Sequence, residues 1–150
     1  MIRRRKLLGA LAAASVALSF PKPAISQNRL NWRMVTSWPK GLPGLGTGPE
    51  RVASRISQMS EGRLTVKVYA AGELVPALQV FDAVSAGTAE MGHDPAYYHL
   101  QKSPACGFFT GVPFGMTAAE HNAWIYWGGG QELWDQLYAP FNIKPFLGSN

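Results

Sequence analysis

Residues 72–92 place the strongest constraint on what this chain can fold into. Their sequence, GELVPALQVFDAVSAGTAEMG, predicts a helix that begins at Pro76, stops at Gly87 and is followed by a short buried strand around Met91. Proline suits the first helical position because its missing N–H has no partner there anyway, and Gly87 can adopt the left-handed conformation at a helix end. The predicted helix has one apolar face, formed by Leu74, Leu78, Phe81 and Val84.

Strand and helix patterns alternate along the chain around this segment. Alternating apolar and polar residues predict strands at 30–35 and 64–69, and a further strand is predicted at 143–147. Between the first two strands we expect a helix with Thr47 as N-cap, a capping box completed by Glu50, and a buried stripe of Val52, Ile56 and Met59. The alternation predicts an α/β fold with an open, mainly parallel sheet, in which ligands bind beyond the carboxyl ends of the strands.

The second half of the chain carries two further helix patterns. Thr117 and Glu120 predict a capping box before a helix that extends to about Trp127, and three glycines at 128–130 separate it from a helix over 131–138. A phosphate-binding loop needs its glycines between a strand and a helix, followed by Lys and Ser or Thr, whereas these glycines follow a helix. They therefore predict a turn between two helices.

The first 26 residues have the features of an export signal. A basic start containing Arg4 and Arg5 precedes an apolar run over 7–20, and small residues in front of Gln27 predict cleavage there. The paired arginines resemble the twin-arginine export motif, and ordinary Sec export remains the alternative. The apolar run is shorter than the roughly 20 residues that a membrane-spanning helix requires, so we expect a cleaved leader and a periplasmic location.

This leader also explains the positive net charge of the chain. The sequence has 14 Lys and Arg against 9 Asp and Glu, and five of the basic residues lie in the first 22 positions, which leaves nine to balance the nine acidic residues. No nucleic-acid partner is therefore expected. Cys106 is the only cysteine, which excludes an intramolecular disulfide and predicts a small core residue.

Residue patterns for catalysis and metal binding are sparse. His93 and His99 lie six residues apart across a proline, which is not a metal-ligand spacing, and no Gly-x-Ser-x-Gly nucleophile elbow is present. We assign no catalytic residue and no metal ligand. A periplasmic enzyme exported by the twin-arginine route remains the alternative to a binding protein, and a purely structural periplasmic module is a third interpretation.

Aromatic residues in predicted loops are better candidates for a ligand site. Trp38 lies in a Gly- and Pro-rich loop after the first strand, while Tyr97 and Tyr98 follow the strand at Met91. Tyrosine supplies both an apolar wall and a hydroxyl for an anionic ligand. For these three residues, core packing and ligand binding are equally open. Core positions are favoured for five other aromatic residues, Phe108, Phe109, Trp124, Trp127 and Trp134.

Seven short motifs occur in order along the predicted exported part: Trp38-Pro39, GELVP at 72–76, FDAVSAGT at 81–88, MGH at 91–93, Tyr97-Tyr98, PFG at 113–115 and GGGQELW at 128–134. Together they resemble the extracytoplasmic solute receptors of tripartite ATP-independent periplasmic (TRAP) transporters. The resemblance extends over nearly all of residues 27–150. It is closest to the branch of the family that binds 2-oxo acids and related monocarboxylates.

The resemblance implies a two-lobed α/β periplasmic binding protein with an open mixed sheet. Such a receptor captures an organic acid, here a 2-oxo acid such as pyruvate, which the small and large TRAP membrane subunits import using an ion gradient. Residues 27–150 would form most of the first lobe, and we expect the C-terminal half of the protein to be missing from this chain. An arginine clamps the carboxylate in such receptors. No arginine follows Arg63, so the clamp and the metal ligands of the oxo-acid branch are expected beyond residue 150.

Five residues of this chain are implied as pocket residues by the resemblance: Ser37, Trp38, Tyr97, Tyr98 and Phe114. Their expected role is to wall the pocket and to donate one hydroxyl hydrogen bond. No cofactor is expected in this segment. Whether a sodium or calcium ion joins the acid, and whether the full-length receptor forms a homodimer, is left open.

Overall fold

Three parallel strands form the centre of the fold in the computed structural model, which describes residues 29–148. Strand β1 (Leu30–Thr36) lies between β2 (Leu64–Tyr69) and β3 (Met91–His93), in the order β2-β1-β3. Both pairings are parallel, so the predicted parallel α/β sheet is confirmed. The predicted export signal at 1–26 lies outside the described residues.

Helices connect and follow these strands. Helix α1 (Thr47–Met59) links β1 to β2, α2 (Val80–Ser85) precedes β3, and α3 (Ala118–Trp127) and α4 (Gly130–Tyr138) form the second half. Residues 29–148 also contain 3-10 helices at Ala77–Gln79, Ala96–His99 and Pro104–Phe109, and a further one at Ala139–Phe141 directly after α4. Within residues 29–148, none of the helices combines the length and the apolar character needed to cross a membrane.

Strand β1 is buried only in its C-terminal half. Met34 and Val35 are 2% and 1% exposed, whereas Leu30 and Trp32 near the start of the strand are exposed. This half also pairs with β3, from Met34 onwards, and Val35 packs with Val80 and Ala83 of α2. The sheet is therefore best covered where the strands end, at the edge where parallel sheets bind ligands.

The start of α1 differs from the sequence prediction. Gly46 is the N-cap residue and no side chain caps the helix, so the capping box predicted for Thr47 and Glu50 is wrong. The loop already turns before the helix, because the N–H groups of Gly46 and Thr47 both donate to the carbonyl of Leu42. Thr47 is thereby drawn into the first turn, and its hydroxyl instead accepts a bond from the N–H of Gly44 (3.2 Å).

The buried side of α1 is also not the predicted stripe. Val52 and Met59 are exposed, whereas Pro49 and Ala53 are the buried residues of this helix. Pro49 and Ala53 are four residues apart and share one face, and Val52 lies one residue, about 100°, from Ala53 around the helix. The helix meets the sheet through small side chains, which lets it lie close to β2.

Helix α2 begins later than predicted. Pro76 precedes the 3-10 turn, and the α-helix starts only at Val80. Because a 3-10 turn has three residues per turn rather than 3.6, Leu78 is rotated off the predicted apolar face and is 68% exposed. Leu74 is exposed as well. The buried residues of α2 are Val80, Phe81 and Ala83.

The predicted end of α2 is confirmed. Gly87 has a φ of +72°, which favours glycine, and its N–H donates to the carbonyl of Val84 (2.9 Å). The N–H of Thr88 donates to the carbonyl of Ala83 (2.8 Å). These two bonds form a Schellman motif that stops the helix and directs the chain into β3.

Two predictions for the second half hold and one fails. The capping box of Thr117 and Glu120 is present, and Gly129, with a φ of +82°, makes the turn between α3 and α4. The segment 143–147 is not a strand. Instead, the Gln131 side chain on α4 donates to the carbonyl of Pro145 (2.9 Å), which holds this segment against a helix rather than against the sheet.

The main core lies where α2, α3 and α4 meet. Of the five aromatic residues predicted for the core, Phe109 and Trp134 are buried and Trp124 packs against them, whereas Phe108 and Trp127 are exposed, so the prediction is wrong for those two. The cluster consists of Phe81, Ala96, Cys106, Phe109, Ile125, Trp134 and Tyr138. Cys106 is confirmed as a core residue, and burial raises the pKa of its thiol, which keeps it protonated and unreactive.

An ion pair ties β1 to the start of β3. The Arg33 guanidinium donates to both carboxylate oxygens of Glu90 (2.7 and 3.1 Å), and the backbone N–H of Arg33 donates to the same carboxylate (2.7 Å). These hydrogen bonds hold the pKa of Glu90 at about 2, below its usual value of 4.5. Because the folded pKa is depressed, the pair contributes its full stability above about pH 4.5 and loses it as the pH falls toward 2.

We therefore expect Glu90→Gln to lower the urea midpoint of the chain at pH 7. The difference from the original chain should shrink through the range between pH 4.5 and 2, in which the native carboxylate takes up its proton. Urea titrations at several pH values, followed by circular dichroism, measure this. Glu61→Gln, the same substitution at an exposed glutamate outside the ion pairs of residues 29–148, is the control and should leave the urea midpoint at pH 7 nearly unchanged. A Glu90→Gln deficit that is constant with pH would contradict the prediction.

Candidate functional site

The carboxyl ends of β1 and β3 bring four of the five predicted pocket residues into one region. Ser37 directly follows β1, and its N–H donates to the carbonyl of His93 (3.2 Å) at the end of β3. Its hydroxyl donates to the carbonyl of Ala77 (2.6 Å) and the residue is buried. The Ser37 hydroxyl therefore donates within the protein and fixes the loop, while its oxygen can still accept a hydrogen bond.

Trp38 lies next to this bond and is half-buried. Its indole N–H donates to Nδ1 of His93 at 2.8 Å, and its ring centroid lies 6.1 Å from that of Tyr98. Its carbonyl accepts from the N–H of Ala71 (2.9 Å), just beyond the end of β2. Trp38 is thus held from all three strand ends or their continuations.

Tyr97 and Tyr98 are positioned by the 3-10 helix Ala96–His99, directly after β3. Their ring centroids are 4.8 Å apart with the ring planes at 79°. Burial raises the pKa of the Tyr98 phenol and the neighbouring Tyr97 adds to the effect, so Tyr98 carries its proton at neutral pH and can donate it to an anion. Trp38, His93, Tyr97 and Tyr98 are referred to below as the sheet-end cluster.

A buried pair fixes the turn that carries the two tyrosines. His99 Nε2 donates to Asp94 Oδ2 at 2.6 Å, and the His99 side chain is only 4% exposed. The His99 ring also packs on Phe81, with centroids 4.5 Å apart. The turn is therefore anchored to the hydrophobic core, and the tyrosines project from a rigid support.

Phe114 is not part of this cluster. It is fully exposed, with a φ of +59°, in the loop before α3. That loop borders a separate apolar cavity of about 670 Å³ between the 3-10 helix Pro104–Phe109 and the helices α3 and α4. None of the residues lining that cavity belongs to the sheet-end cluster, although buried His121 lines it with its Nε2 unpartnered among the described residues.

His93 is the residue of the cluster that sequence reasoning did not select. The sequence draws attention to His93 only through its spacing from His99, because its hydrogen bond to Trp38 joins residues 55 positions apart and leaves no local pattern. The one available signal was its place at the end of a predicted strand in the MGH motif. Residues 29–148 contain no group of three or more His, Cys, Asp or Glu side chains that could hold a metal ion.

Aromatic and hydroxyl side chains at the carboxyl ends of parallel strands are typical of a site for a small ligand. The chain matches the family model DctP, bacterial extracellular solute-binding protein, family 7, over residues 34–148. It therefore belongs to this family of bacterial solute-binding proteins.

A relative from Nostoc sp. is a monocarboxylate 2-oxoacid-binding periplasmic protein. It is 45% identical to this chain over 97% of the chain and 42% of its own length. The chain thus spans less than half the length of this curated relative.

Solved structures of TRAP periplasmic solute-binding proteins have the same fold. The protein from Pseudoalteromonas atlantica, with bound sodium and pyruvate, is 40% identical and superimposes with a TM-score of 0.79 over 81% of this chain and 37% of its own. The protein from Colwellia psychrerythraea, with bound calcium and pyruvate, is 37% identical over the same shares of both chains, also with a TM-score of 0.79. A TRAP transporter solute-binding protein from Bordetella bronchiseptica, a mixed-occupancy dimer with calcium and picolinate, is 40% identical over 77% of this chain and 34% of its own, with a TM-score of 0.75.

Proposed function

We propose that residues 27–150 form most of the first lobe of a periplasmic TRAP receptor that captures a monocarboxylate, specifically a 2-oxo acid such as pyruvate. The observation that carries the proposal is the 45% identity with a 2-oxoacid-binding relative over 97% of the chain. The pyruvate bound in two structures with the same fold supports the same class of ligand.

The sheet-end cluster is the part of the pocket that this lobe supplies. Trp38 and Tyr97 offer apolar surface, and Tyr98 offers a neutral phenol that can donate to a carboxylate or keto oxygen. The phenol bond adds specificity, because a hydrogen bond to a charged group contributes about 1.5–3 kcal/mol. No arginine follows Arg63 in the sequence, so the cation that pairs with the carboxylate is expected in the part of the receptor outside this chain.

Metal binding and assembly are also proposed to depend on the part of the receptor outside this chain. Two relatives contain sodium or calcium together with pyruvate, so the proposal includes a metal ion bound next to the acid. Residues outside this chain would hold the ion, since residues 29–148 have no group of metal ligands. The TRAP membrane subunits are the proposed partners for import. A homodimer of the full-length receptor is compatible with the dimer from Bordetella bronchiseptica. Ser37 serves as a loop anchor, and the exposed Phe114 lies outside the sheet-end cluster.

The proposal is a binding function without turnover. The Nostoc relative is a binding protein, and the matching structures are solute-binding proteins of transporters. The alternative, a twin-arginine-exported enzyme, predicts chemical conversion of the acid. A binding protein returns the acid chemically unchanged, whereas an enzyme converts it. Measuring both the binding of the acid and the identity of the recovered acid therefore distinguishes the two functions.

A chimeric receptor tests this function. Residues 27–150 of this chain replace the matching part of the Nostoc relative, and the purified chimera is titrated calorimetrically with pyruvate, 2-oxobutyrate, lactate and succinate, before and after chelation of metal ions. We expect one-to-one binding of pyruvate with a dissociation constant on the order of micromolar, or about 8 kcal/mol of binding free energy, and recovery of unchanged acid by NMR. A folded chimera that binds none of the acids, or that converts pyruvate, would refute the proposal.

A matched pair of variants in this chimera tests the cluster itself. Tyr98→Phe removes only the phenol oxygen, and the loss of its bond to the anion should weaken pyruvate binding about tenfold or more. Tyr126→Phe makes the same change at an exposed tyrosine on α3 and should leave affinity unchanged. Equal affinities of the two variants would show that the Tyr98 phenol does not bond to the ligand, and the assignment of the ligand would be unaffected.

A further inference from the structure

The hydrogen bond between Trp38 and His93 fixes which ring nitrogen of the histidine carries the proton. The indole Nε1–H is a donor only, and it lies 2.8 Å from His93 Nδ1. Nδ1 must therefore be an unprotonated acceptor, and the neutral ring carries its proton on Nε2. A second bond runs beside it, because the N–H of Ser37 donates to the carbonyl of His93 (3.2 Å).

Trp38 lies in a loop that is rich in turns, and a single hydrogen bond holds its indole. Its backbone is held through the bond from Ala71, but the following residues 39–46 form a succession of turns with positive φ at Gly41 and Gly44. The indole also makes ring contacts with His93 and Tyr98, which orient it less sharply than a hydrogen bond does. The directional contact of the Trp38 side chain is the bond to His93.

The surroundings of His93 favour the neutral ring. Burial lowers the pKa of His93, and the adjacent Asp94 acts in the opposite direction. Asp94 is itself engaged by His99, and Tyr98 faces the cluster across the Trp38 ring. The backbone of Gly148 lies against the other side of the His93 ring. A Cβ atom at position 148 would be only 3.2 Å from Nε2 and Cδ2 of His93. At neutral pH the acceptor is therefore present.

We propose that His93 is a positioning residue: its neutral imidazole accepts the Trp38 indole N–H and so fixes the pocket wall that Trp38 provides. This inference rests on the proposed function, because it takes Trp38 as part of the ligand pocket. When the ring gains a second proton, Nδ1 becomes a donor facing another donor. The bond to Trp38 is then lost and the indole is released. The affinity for the organic acid should therefore fall as His93 becomes protonated, in addition to any effect of protonating the ligand itself.

NMR of the whole chain tests the inference directly. The chain has five tryptophans and hence five indole N–H signals, and Trp38→Phe identifies the one that belongs to Trp38. We expect this signal to shift with the titration of His93 and to exchange with solvent about tenfold faster once the ring is charged, as for the loss of one hydrogen bond. His93→Phe should give the fast exchange at every pH. His93→Gln, whose amide oxygen is an acceptor that does not titrate, should retain the slow exchange and lose the pH dependence.

The same substitution at another histidine is the control. His121→Gln lies outside the cluster and should leave the Trp38 signal and its titration intact. A Trp38 signal that is unchanged in His93→Phe, or that still titrates in His93→Gln, would overturn the inference, and His93→Gln decides the question if His93→Phe does not fold.

The chimeric receptor separates this inference from the proposed function. The expected result is that His93→Phe weakens pyruvate binding at pH 7 by about tenfold and His93→Gln restores it. Pyruvate binding that is equal in the original and His93→Phe chimeras would overturn the positioning role and leave the proposed function standing. A chimera that binds no acid, while the Trp38 signal still follows His93, would refute the function instead, and with it the role of this bond in a ligand pocket.

Discussion

Replacing Phe81 with alanine is expected to lower the free energy of unfolding of the chain by about 3–5 kcal/mol. Phe81 is 4% exposed, and its ring lies 4.5 Å from His99, 5.3 Å from Tyr138 and 5.0 Å from Phe141, measured between centroids. It therefore joins α2 to the turn that carries the tyrosines and to the end of α4. Removal of the ring leaves a cavity among rigid aromatic neighbours, and urea unfolding followed by circular dichroism measures the loss.

Leu78→Ala is the matched control for this prediction. The sequence places Leu78 and Phe81 on the same apolar face of one helix, but Leu78 is 68% exposed because it lies in the 3-10 turn before α2. Its replacement should change stability by no more than about 0.5 kcal/mol. If Leu78→Ala costs as much as Phe81→Ala, the helix begins at Pro76 and its predicted apolar face is the correct one.

Local signals in the sequence were sufficient to predict the architecture. The alternation of strands and helices predicts the parallel sheet, and Gly87, Gly129 and the pair of Thr117 and Glu120 predict where helices stop or start. Each of these signals acts within one turn of the chain, through a backbone conformation or a side chain that bonds to a nearby N–H. Such interactions do not depend on distant contacts, although local signals of the same kind fail at Thr47, where the loop turns first, and at Pro76, where a 3-10 turn comes first.

Predictions that depend on distant neighbours were less successful. Whether 143–147 forms a strand depends on a free sheet edge in the right place, and in the structure the segment is bonded to α4 instead. Which face of α1 is buried depends on how closely the helix can approach β2, and the small residues Pro49 and Ala53 decide this rather than the larger Val52. Hydrophobic patterns identify a helix more reliably than they identify its buried residues.

The candidate site shows the same division. Trp38, Tyr97 and Tyr98 could be selected because parallel strands bring their carboxyl ends to one edge. His93 could not be given its role, since its bond to Trp38 spans 55 residues and only the register of β1 and β3 brings them together. Phe114 was grouped with these residues on the family resemblance, and the structure places it beside the apolar cavity instead.

Trp134→Ala is the second substitution with a large expected effect, again about 3–5 kcal/mol of the free energy of unfolding. Trp134 is 7% exposed, and its ring stacks on Phe109 with centroids 5.1 Å apart and planes at 6°. It also meets Tyr138 edge-on at 5.9 Å. Removing it eliminates both aromatic contacts and the side chain that holds α4 against the 3-10 helix Pro104–Phe109. Thermal and urea unfolding of the chain measure the effect.

Trp127→Ala provides the comparison that isolates burial. Both residues are tryptophans that the sequence predicts for the core, and both lie in helices, so the two substitutions remove the same side chain and improve helix propensity in the same direction. Trp127 is 88% exposed at the end of α3, and its loss should change stability by at most about 0.5 kcal/mol. Similar large losses for both variants would mean that α3 is rotated so that Trp127 faces the core, and the arrangement of α3 and α4 around the cavity would then be wrong. A large loss for Trp134 alone means that α4 turns Trp134 into the core while α3 leaves Trp127 in solvent, as the structure has it.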